Sequence, residues 1–425
     1  MKLINKRIHI KKTQLFFLIT FVFTQVFSFK EINAQNVLTG IDVLQKTNFE
    51  CLSGKSIGII TNPTGVNQHL QSTIDLLHAA PEVKLKALYS PEHGIRGDHA
   101  AGDKVGTYVD KKTGITVYSL YGKNKKPNAE MLKGLDALVY DIQDIGVRSY
   151  TYISTMGLAM EACAENNLEL IVLDRPNPIG GLKVEGGLVE SAYISFVSQF
   201  PIPYVYGFTC GELANYINNE GLLKDGKKCQ LTVIKMENWK RDMLFADTQL
   251  PWIPTSPHIP NSLSAIYYPI SGILGELYTI SIGVGYTQPF ELFAAEWINA
   301  DDLSKNLNNL NLPGILFRPI HYKPYYSVSK GKMIHGVQVH FTDIKKAPLS
   351  LIQFYVLQEL HNLYPKKNVF KMCDQSRLSM FDKVCGSNKI RNQFSKKFKV
   401  EDIIELWNHP AEEFKEKSKK YWLYQ

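Results

Sequence analysis

The chain has 425 residues, of which 44% are hydrophobic and 21% charged, and a formal net charge of +8. This length exceeds what one core usually sustains, so two subdomains are expected, and the composition excludes a disordered chain. The basic charge is largely an N-terminal feature: residues 1–34 hold six Lys/Arg and one Glu, so removing them leaves 42 basic and 39 acidic residues, a net +3.

Lys2, Lys6, Arg7, Lys11 and Lys12 precede an apolar run from Leu15 to Phe29, and Ile32-Asn33-Ala34 offers a small residue for cleavage. Residues 1–34 therefore read as a signal peptide, with an uncleaved anchor as the alternative. The first cysteine after this region is Cys51, which disfavours a lipoprotein anchor. The mature chain is expected to be exported, periplasmic or secreted, without stable membrane insertion. No dense Lys/Arg stripe interleaved with aromatics marks a nucleic-acid footprint. The six cysteines show no CxxC or Cys/His metal spacing; Cys373 and Cys385 are close enough in sequence to pair, and isolated buried thiols are the other reading.

From about residue 39 to 190 strand-like and helix-like segments alternate. Strands are expected at Ile57–Thr61, Val83–Leu88, Val117–Tyr121, Ala137–Tyr140 and Leu168–Leu173, and helices at Ser72–Ala79 and Tyr152–Glu165. Gly207-Phe208-Thr209-Cys210-Gly211-Glu212 has capping-box spacing for a helix start, and Leu231–Ile234 adds a further strand. The pattern predicts an α/β, Rossmann-like parallel-sheet domain over 35–250. From about Leu250, Pro251, Pro254, Pro257, Pro260 and Pro269 crowd among Trp252, Tyr267 and Tyr268, which reads as loop facing the sheet edge. A strand at Val337–Phe341 and helices at Ser350–Leu363, Val400–Trp407 and Ala411–Tyr421 complete a smaller α+β domain over 251–425.

The carboxyl ends of strands in an open parallel sheet share one edge, and ligands bind outside it. Glu92, Asp141, Asp144, Arg148, Asp174 and Arg175 all follow strand ends and are expected to converge there. Glu92, in the turn Pro91-Glu92-His93-Gly94, reads as a general acid or as a carboxylate satisfied by backbone amides or Arg96. Asp144 and Arg148 form either a ligand-binding pair or a structural one, and Asp141 has the same two readings. Asp174 reads first as an ion-pair partner, leaving Arg175 and Asn177 to reach a ligand. His93, Asp98, His99 and Asp103 collect near Glu92 but fit no metal-ligand spacing, so no metal is expected, and His93 and His99 read as hydrogen-bond partners of Glu92 or of the substrate. No GxSxG elbow, Walker A lysine or dinucleotide fingerprint is present, and no cofactor is expected.

Seven motifs carry a resemblance over essentially the whole mature chain: SPEHGIRG (90–97), SLYG (119–122), YDIQDIGVRSYTY (140–152), LDRPNPIGG (173–181), EGGLVE (185–190), YGFTCGELA (206–214) and PFE (289–291). Their order resembles the exo-β-N-acetylmuramidase family, NamZ, formerly labelled DUF1343 or YbbC-like. The resemblance implies release of N-acetylmuramic acid (MurNAc) from non-reducing ends of peptidoglycan fragments, with peptidoglycan-derived saccharides or muropeptides as partners, in a cleft between two domains. It implies that Glu92 is the catalytic glutamate. Asp144 is the candidate second catalytic group, and Tyr121 or Tyr150 the candidate stabiliser of an oxocarbenium. Arg148 or Arg175 suits the lactyl carboxylate, because a guanidinium binds a carboxylate bidentately. Where relatives commonly read PSPNMPT and EGTN…GRGT, this chain has His258 in Thr255–Asn261, Glu276-Leu277-Tyr278-Thr279, and Gly283-Val284-Gly285-Tyr286. His258, Glu276 and Tyr278 are therefore candidates for a changed substrate contact. Two rivals remain at this stage: a non-catalytic muropeptide-binding protein on the same fold, and a metal-dependent hydrolase of another cell-wall bond.

Overall fold

The structure, a computed structural model, describes residues 36–92, 94–97, 106–122 and 124–425. Its organising element is a seven-stranded sheet built from β1 (Ser56–Thr61), β2 (Lys84–Ser90), β3 (Tyr108–Val109), β4 (Thr116–Ser119), β5 (Ala137–Asp141), β6 (Glu169–Leu173) and β7 (Gln230–Ile234). The order is β3-β4-β2-β1-β5-β6-β7, and all pairs are parallel except β3 with β4. Setting aside the short edge strand β3, this is the doubly wound order, reversing direction between β1 and β5. The Rossmann-like expectation is met.

Alternation along the strands explains the layers. Ile57, Ile59, Val139, Ile171 and Leu173 point to one face, under α1 (Gly40–Lys46) and α2 (Thr73–Ala79). Ile60, Leu138, Tyr140, Leu170 and Val172 point to the other, under α3 (Tyr152–Glu165) and α4 (Cys210–Asn219). Thr209 caps α4 in the predicted capping box with Glu212.

The rest of the chain forms a smaller domain with an antiparallel sheet. It contains α5 (Ser262–Gly275), β8 (Leu292–Ala295), α6 (Ala300–Asn309), β9 (Ile315–Tyr322), β10 (Ile334–Phe341), α7 (Ile352–Leu363), α8 (Val369–Met372), α9 (Gln375–Cys385), α10 (Lys389–Lys397) and α11 (Ile404–Ser418). The strands are ordered β8-β10-β9. One apolar core joins this domain to Ile145, Val147, Tyr204 and Val205 of the first.

Two local expectations fail. The Pro-rich segment is not all loop, because α5 runs through Pro269. Asn261 caps its start, and the buried Gln353 amide donates to the Pro269 carbonyl and accepts from Leu274 N–H at 2.9 Å, which ties the later turns of this helix to α7. Likewise α11 continues through Pro410 instead of breaking between 407 and 411. All six cysteines are free, so Cys373 and Cys385 do not pair.

Candidate active site

Strand register brings two side chains together. Ser90 of β2 and Ser119 of β4 are paired residues of adjacent parallel strands, and Glu92 and Tyr121 each lie two residues beyond that pair. The Tyr121 phenol faces the Glu92 carboxylate; burial, then the Glu92 charge, raises the phenol above its ordinary value. Arg96 does not satisfy Glu92, being bound to Asp110 at 2.7 Å and Asp75 at 3.1 Å.

Glu92 opens into a cleft of about 360 Å³ lined by Ser149–Tyr152 on one side and by Ser256–Ile259, Tyr268 and Phe290 on the other. The two walls are bolted together: the Tyr150 hydroxyl donates to Thr255 Oγ1 and the Tyr152 hydroxyl to the Thr255 carbonyl, both at 2.7 Å. Ser149 Oγ lies 3.2 Å from the Tyr268 hydroxyl, and the Tyr150 ring stands edge-on to Tyr152 and Tyr268. The result is an aromatic wall studded with hydroxyls, with Glu92 the one carboxylate among the described lining residues. Such a surface suits a polar ring that presents both hydroxyls and C–H faces.

The opening is displaced from the switch point between β1 and β5. There Leu250, Pro251, Trp252 and Phe245 nearly fill the crevice, leaving about 20 Å³ beside Arg175 and Gln143. This displacement changes the standing of several expected residues. Asp141 is fully buried; it takes a bidentate pair from Arg175 at 2.6 and 2.9 Å and a hydrogen bond from Thr73 Oγ1. Arg175 also donates to the Val66 carbonyl. Both are consumed in tying β5, β6 and the β1–α2 loop together, a correction to their reading as substrate contacts. Asp174 does not pair with the Arg175 side chain; it accepts from Thr209 Oγ1, Gly211 N and Tyr424 O–H, fixing the start of α4. Asn177 is also structural: its amide donates to the Phe208 carbonyl and its oxygen accepts from Ile179 N–H.

Arg148 is the clearest correction. It is 0% exposed, meets no carboxylate, and donates to the carbonyls of Gly187 (2.7 Å), Ile202 (2.5 Å) and Val384 (2.8 Å). Burial lowers its pKa to about 10. A rigid fork is required to reach three carbonyls from two domains at once, so this guanidinium is an interdomain clamp.

Asp144 is set behind the cleft wall and does not line it. Its Oδ2 accepts from the Tyr206 hydroxyl and from Gly146 N–H at 2.7 Å, and its Oδ1 is buried without a hydrogen-bond partner among the described residues. Gly146 holds φ +78°, where a Cβ would strike the Asn177 amide, so the turn that aims this N–H needs glycine. Burial raises Asp144 to about 7, against the hydrogen bonds from Tyr206 and Gly146. A second catalytic role for it at the sugar is not supported by this placement.

His93 lies outside the described residues, as do Asp98, His99 and Asp103. Among the described residues no group of three or more His, Cys, Asp or Glu is placed to hold a metal. Tyr150 and His258 do line the cleft, and His258 Nε2 lies 2.9 Å from the Tyr326 hydroxyl. Glu276 and Tyr278 line an adjoining compartment instead. Sequence reasoning overlooked Tyr268 and Phe290 as cleft residues, Thr255 as the partner of the Tyr150 and Tyr152 hydroxyls, and Tyr206 as the partner of Asp144. Phe290 sits in the quoted PFE motif and Tyr268 in the aromatic-rich segment, but neither position reveals which way its ring points.

Fold and cleft together define a two-domain α/β protein whose acid, at a strand end beside the switch point, faces an aromatic, hydroxyl-bearing wall from a second domain. The family model described as exo-beta-N-acetylmuramidase NamZ, N-terminal, matches residues 57–263, and the C-terminal model matches 266–424. The chain belongs to the NamZ exo-β-N-acetylmuramidase family. It is 46% identical over 388 residues, 91% of each chain, to the peptidoglycan beta-N-acetylmuramidase NamZ of Bacillus subtilis (strain 168). Two crystal structures of DUF1343 family proteins from Bacteroides fragilis NCTC 9343 are similar to it, each covered over 99% of its length by 92% of this chain. One has a TM-score of 0.88 at 59% identity and the other 0.76 at 29%.

Proposed function

We propose that this protein is an exo-acting glycoside hydrolase that releases MurNAc from the non-reducing ends of peptidoglycan fragments, with Glu92 as general acid. The observation that carries the reading is the Glu92–Tyr121 pair at the mouth of the cleft, in a chain 46% identical to a peptidoglycan beta-N-acetylmuramidase. In this reading the Glu92 carboxylic acid gives its proton to the glycosidic oxygen as the bond to the anomeric carbon breaks. The leaving sugar departs as an alcohol, water adds its oxygen to the anomeric carbon, and the proton that water gives up restores the Glu92 carboxylic acid by the end of the cycle. Tyr121 holds the carboxyl group in position, and the Tyr150 side of the cleft faces the developing positive charge. Neither Arg148 nor Arg175 is free to bind the lactyl carboxylate, so its recognition falls to the wall that contains His258.

The basic, apolar leader of residues 1–34 supports export to the periplasm or beyond, where peptidoglycan fragments occur. No helix among the described residues is long and apolar enough to cross a membrane. The test is incubation of mature protein with β-1,4-linked MurNAc-GlcNAc, where GlcNAc is N-acetylglucosamine, with the reversed disaccharide GlcNAc-MurNAc as control. Free MurNAc from the first and nothing from the second is the expected result. Binding without release would support the non-catalytic alternative.

A further inference from the structure

The cleft does not end where one sugar would. His258, Tyr268 and Phe290 line both the Glu92 cleft and a second compartment of about 250 Å³, which adds Glu276, Tyr278 and Val284. Tyr278, Ser327 and Val328 are in turn shared with a third, more open stretch that includes Glu296 and Lys332. The three are one groove, running from the acid across the smaller domain.

Two features of the second compartment lack a structural explanation. Glu276 is largely buried, and among the described residues no donor bonds its carboxylate; Arg377 acts on it through charge alone. Tyr278 is 52% exposed and occupies the left-handed region at φ +55°, with the Arg377 guanidinium stacked 3.7 Å from its ring centre. Holding a tyrosine in that backbone region costs energy, and such strain collects at ligand sites. An unpaired acceptor beside a propped aromatic ring is the equipment for a sugar: the carboxylate takes a hydroxyl or amide N–H, and the ring takes a C–H face.

Resting on the exo-hydrolase reading, we infer that this compartment is the subsite for the sugar on the leaving side of the scissile bond, a neutral N-acetylhexosamine bound by Glu276 and Tyr278. A terminal sugar that is released has no chain beyond it, so groove past the terminal subsite receives the leaving side. Charge separates this occupant from the other chain that muramic acid can carry. An acidic stem peptide would meet the Glu276 carboxylate, which no donor bonds among the described residues, and Glu296 further along is already paired with Lys332 at 2.9 Å; a neutral sugar meets no repulsion.

The test compares kcat/KM for MurNAc-GlcNAc with that for an aryl β-MurNAc glycoside, which has no leaving sugar, in wild type, Glu276→Ala, Glu276→Gln and Tyr278→Gly. Glycine suits the left-handed backbone, and glutamine keeps an acceptor, so folding is preserved in at least these two variants. The expected result is a fall of at least tenfold in the disaccharide-to-aryl ratio for Glu276→Ala and Tyr278→Gly, and a smaller fall for Glu276→Gln. An unchanged ratio in folded variants overturns the subsite. Loss confined to peptide-bearing disaccharides overturns it in favour of a stem-peptide groove. If wild type releases MurNAc from neither substrate, the underlying exo-hydrolase reading fails and this inference with it, a result distinct from an unchanged ratio.

Discussion

Asp144→Asn isolates the energetic cost of the buried carboxylate behind the cleft. Asp144 is 5% exposed; Tyr206 and Gly146 occupy one oxygen, and the other has no hydrogen-bond partner among the described residues. Its pKa is raised from 3.8 to about 7 by burial. Between those values the folded state holds a proton that the unfolded state has released, so the stability present below about pH 4 is lost as pH climbs to 7. A difference of about 3 pKa units, each about 1.4 kcal/mol, places the cost at about 4 kcal/mol above pH 7. Asparagine resembles the protonated acid and has no such titration. Urea unfolding at pH values from 4 to 8 should therefore show the variant gaining on wild type by roughly that amount across the window, with m unchanged. Its MurNAc release at neutral pH should fall by less than the ~100-fold expected for loss of an acid catalyst. Parallel stability curves would refute the buried-carboxylate argument, and loss of catalysis on the scale of a missing acid would return Asp144 to the chemistry.

Three further outcomes follow from the same geometry. Arg148→Lys retains charge but cannot fork to the Gly187, Ile202 and Val384 carbonyls; we expect a loss of about 2–4 kcal/mol in urea unfolding, with equal effects on binding of MurNAc substrates and their lactyl-amide analogues. Selective loss on the acid would restore Arg148 as the carboxylate reader. Tyr121→Phe removes the phenol hydroxyl that faces Glu92 and should lower kcat roughly 10- to 100-fold, as expected for loss of a polar partner of a charged group, with little change in KM. Activity should persist in excess EDTA, because the residues of the His93 loop lack ligand spacing and protonation by Glu92 needs no Lewis acid; loss on chelation with recovery on adding zinc would favour a metal-dependent hydrolase.

The strand ends, and therefore Glu92 and Tyr121, were legible because apolar alternation and polar stops are local properties. What convergence at the edge would mean was not legible. Asp141, Arg175, Asp174 and Arg148 follow strand ends as Glu92 does, yet all four are buried connectors, and the crevice beside Arg175 is filled by the Leu250–Trp252 segment. That outcome depends on a segment more than 70 residues away in sequence. Arg148 shows the same limit: its Val384 partner is 236 residues distant, and nothing near it in sequence marks it as a clamp. Helix α5 escaped notice because Pro269, which removes one helical hydrogen bond, signals a break. The strand β9 was missed although its buried positions largely alternate, since Pro319 interrupts an otherwise readable period.

The central claim is that Glu92 donates the proton, and the most direct measurement is release of free MurNAc from MurNAc-GlcNAc by wild type and by Glu92→Gln at equal concentration. The replacement is isosteric and sits on a partly exposed turn, so the unfolding midpoint and substrate binding should be retained. The account predicts that turnover falls by about 100- to 10,000-fold while affinity changes little. A folded Glu92→Gln protein that releases MurNAc at near wild-type rate would contradict it.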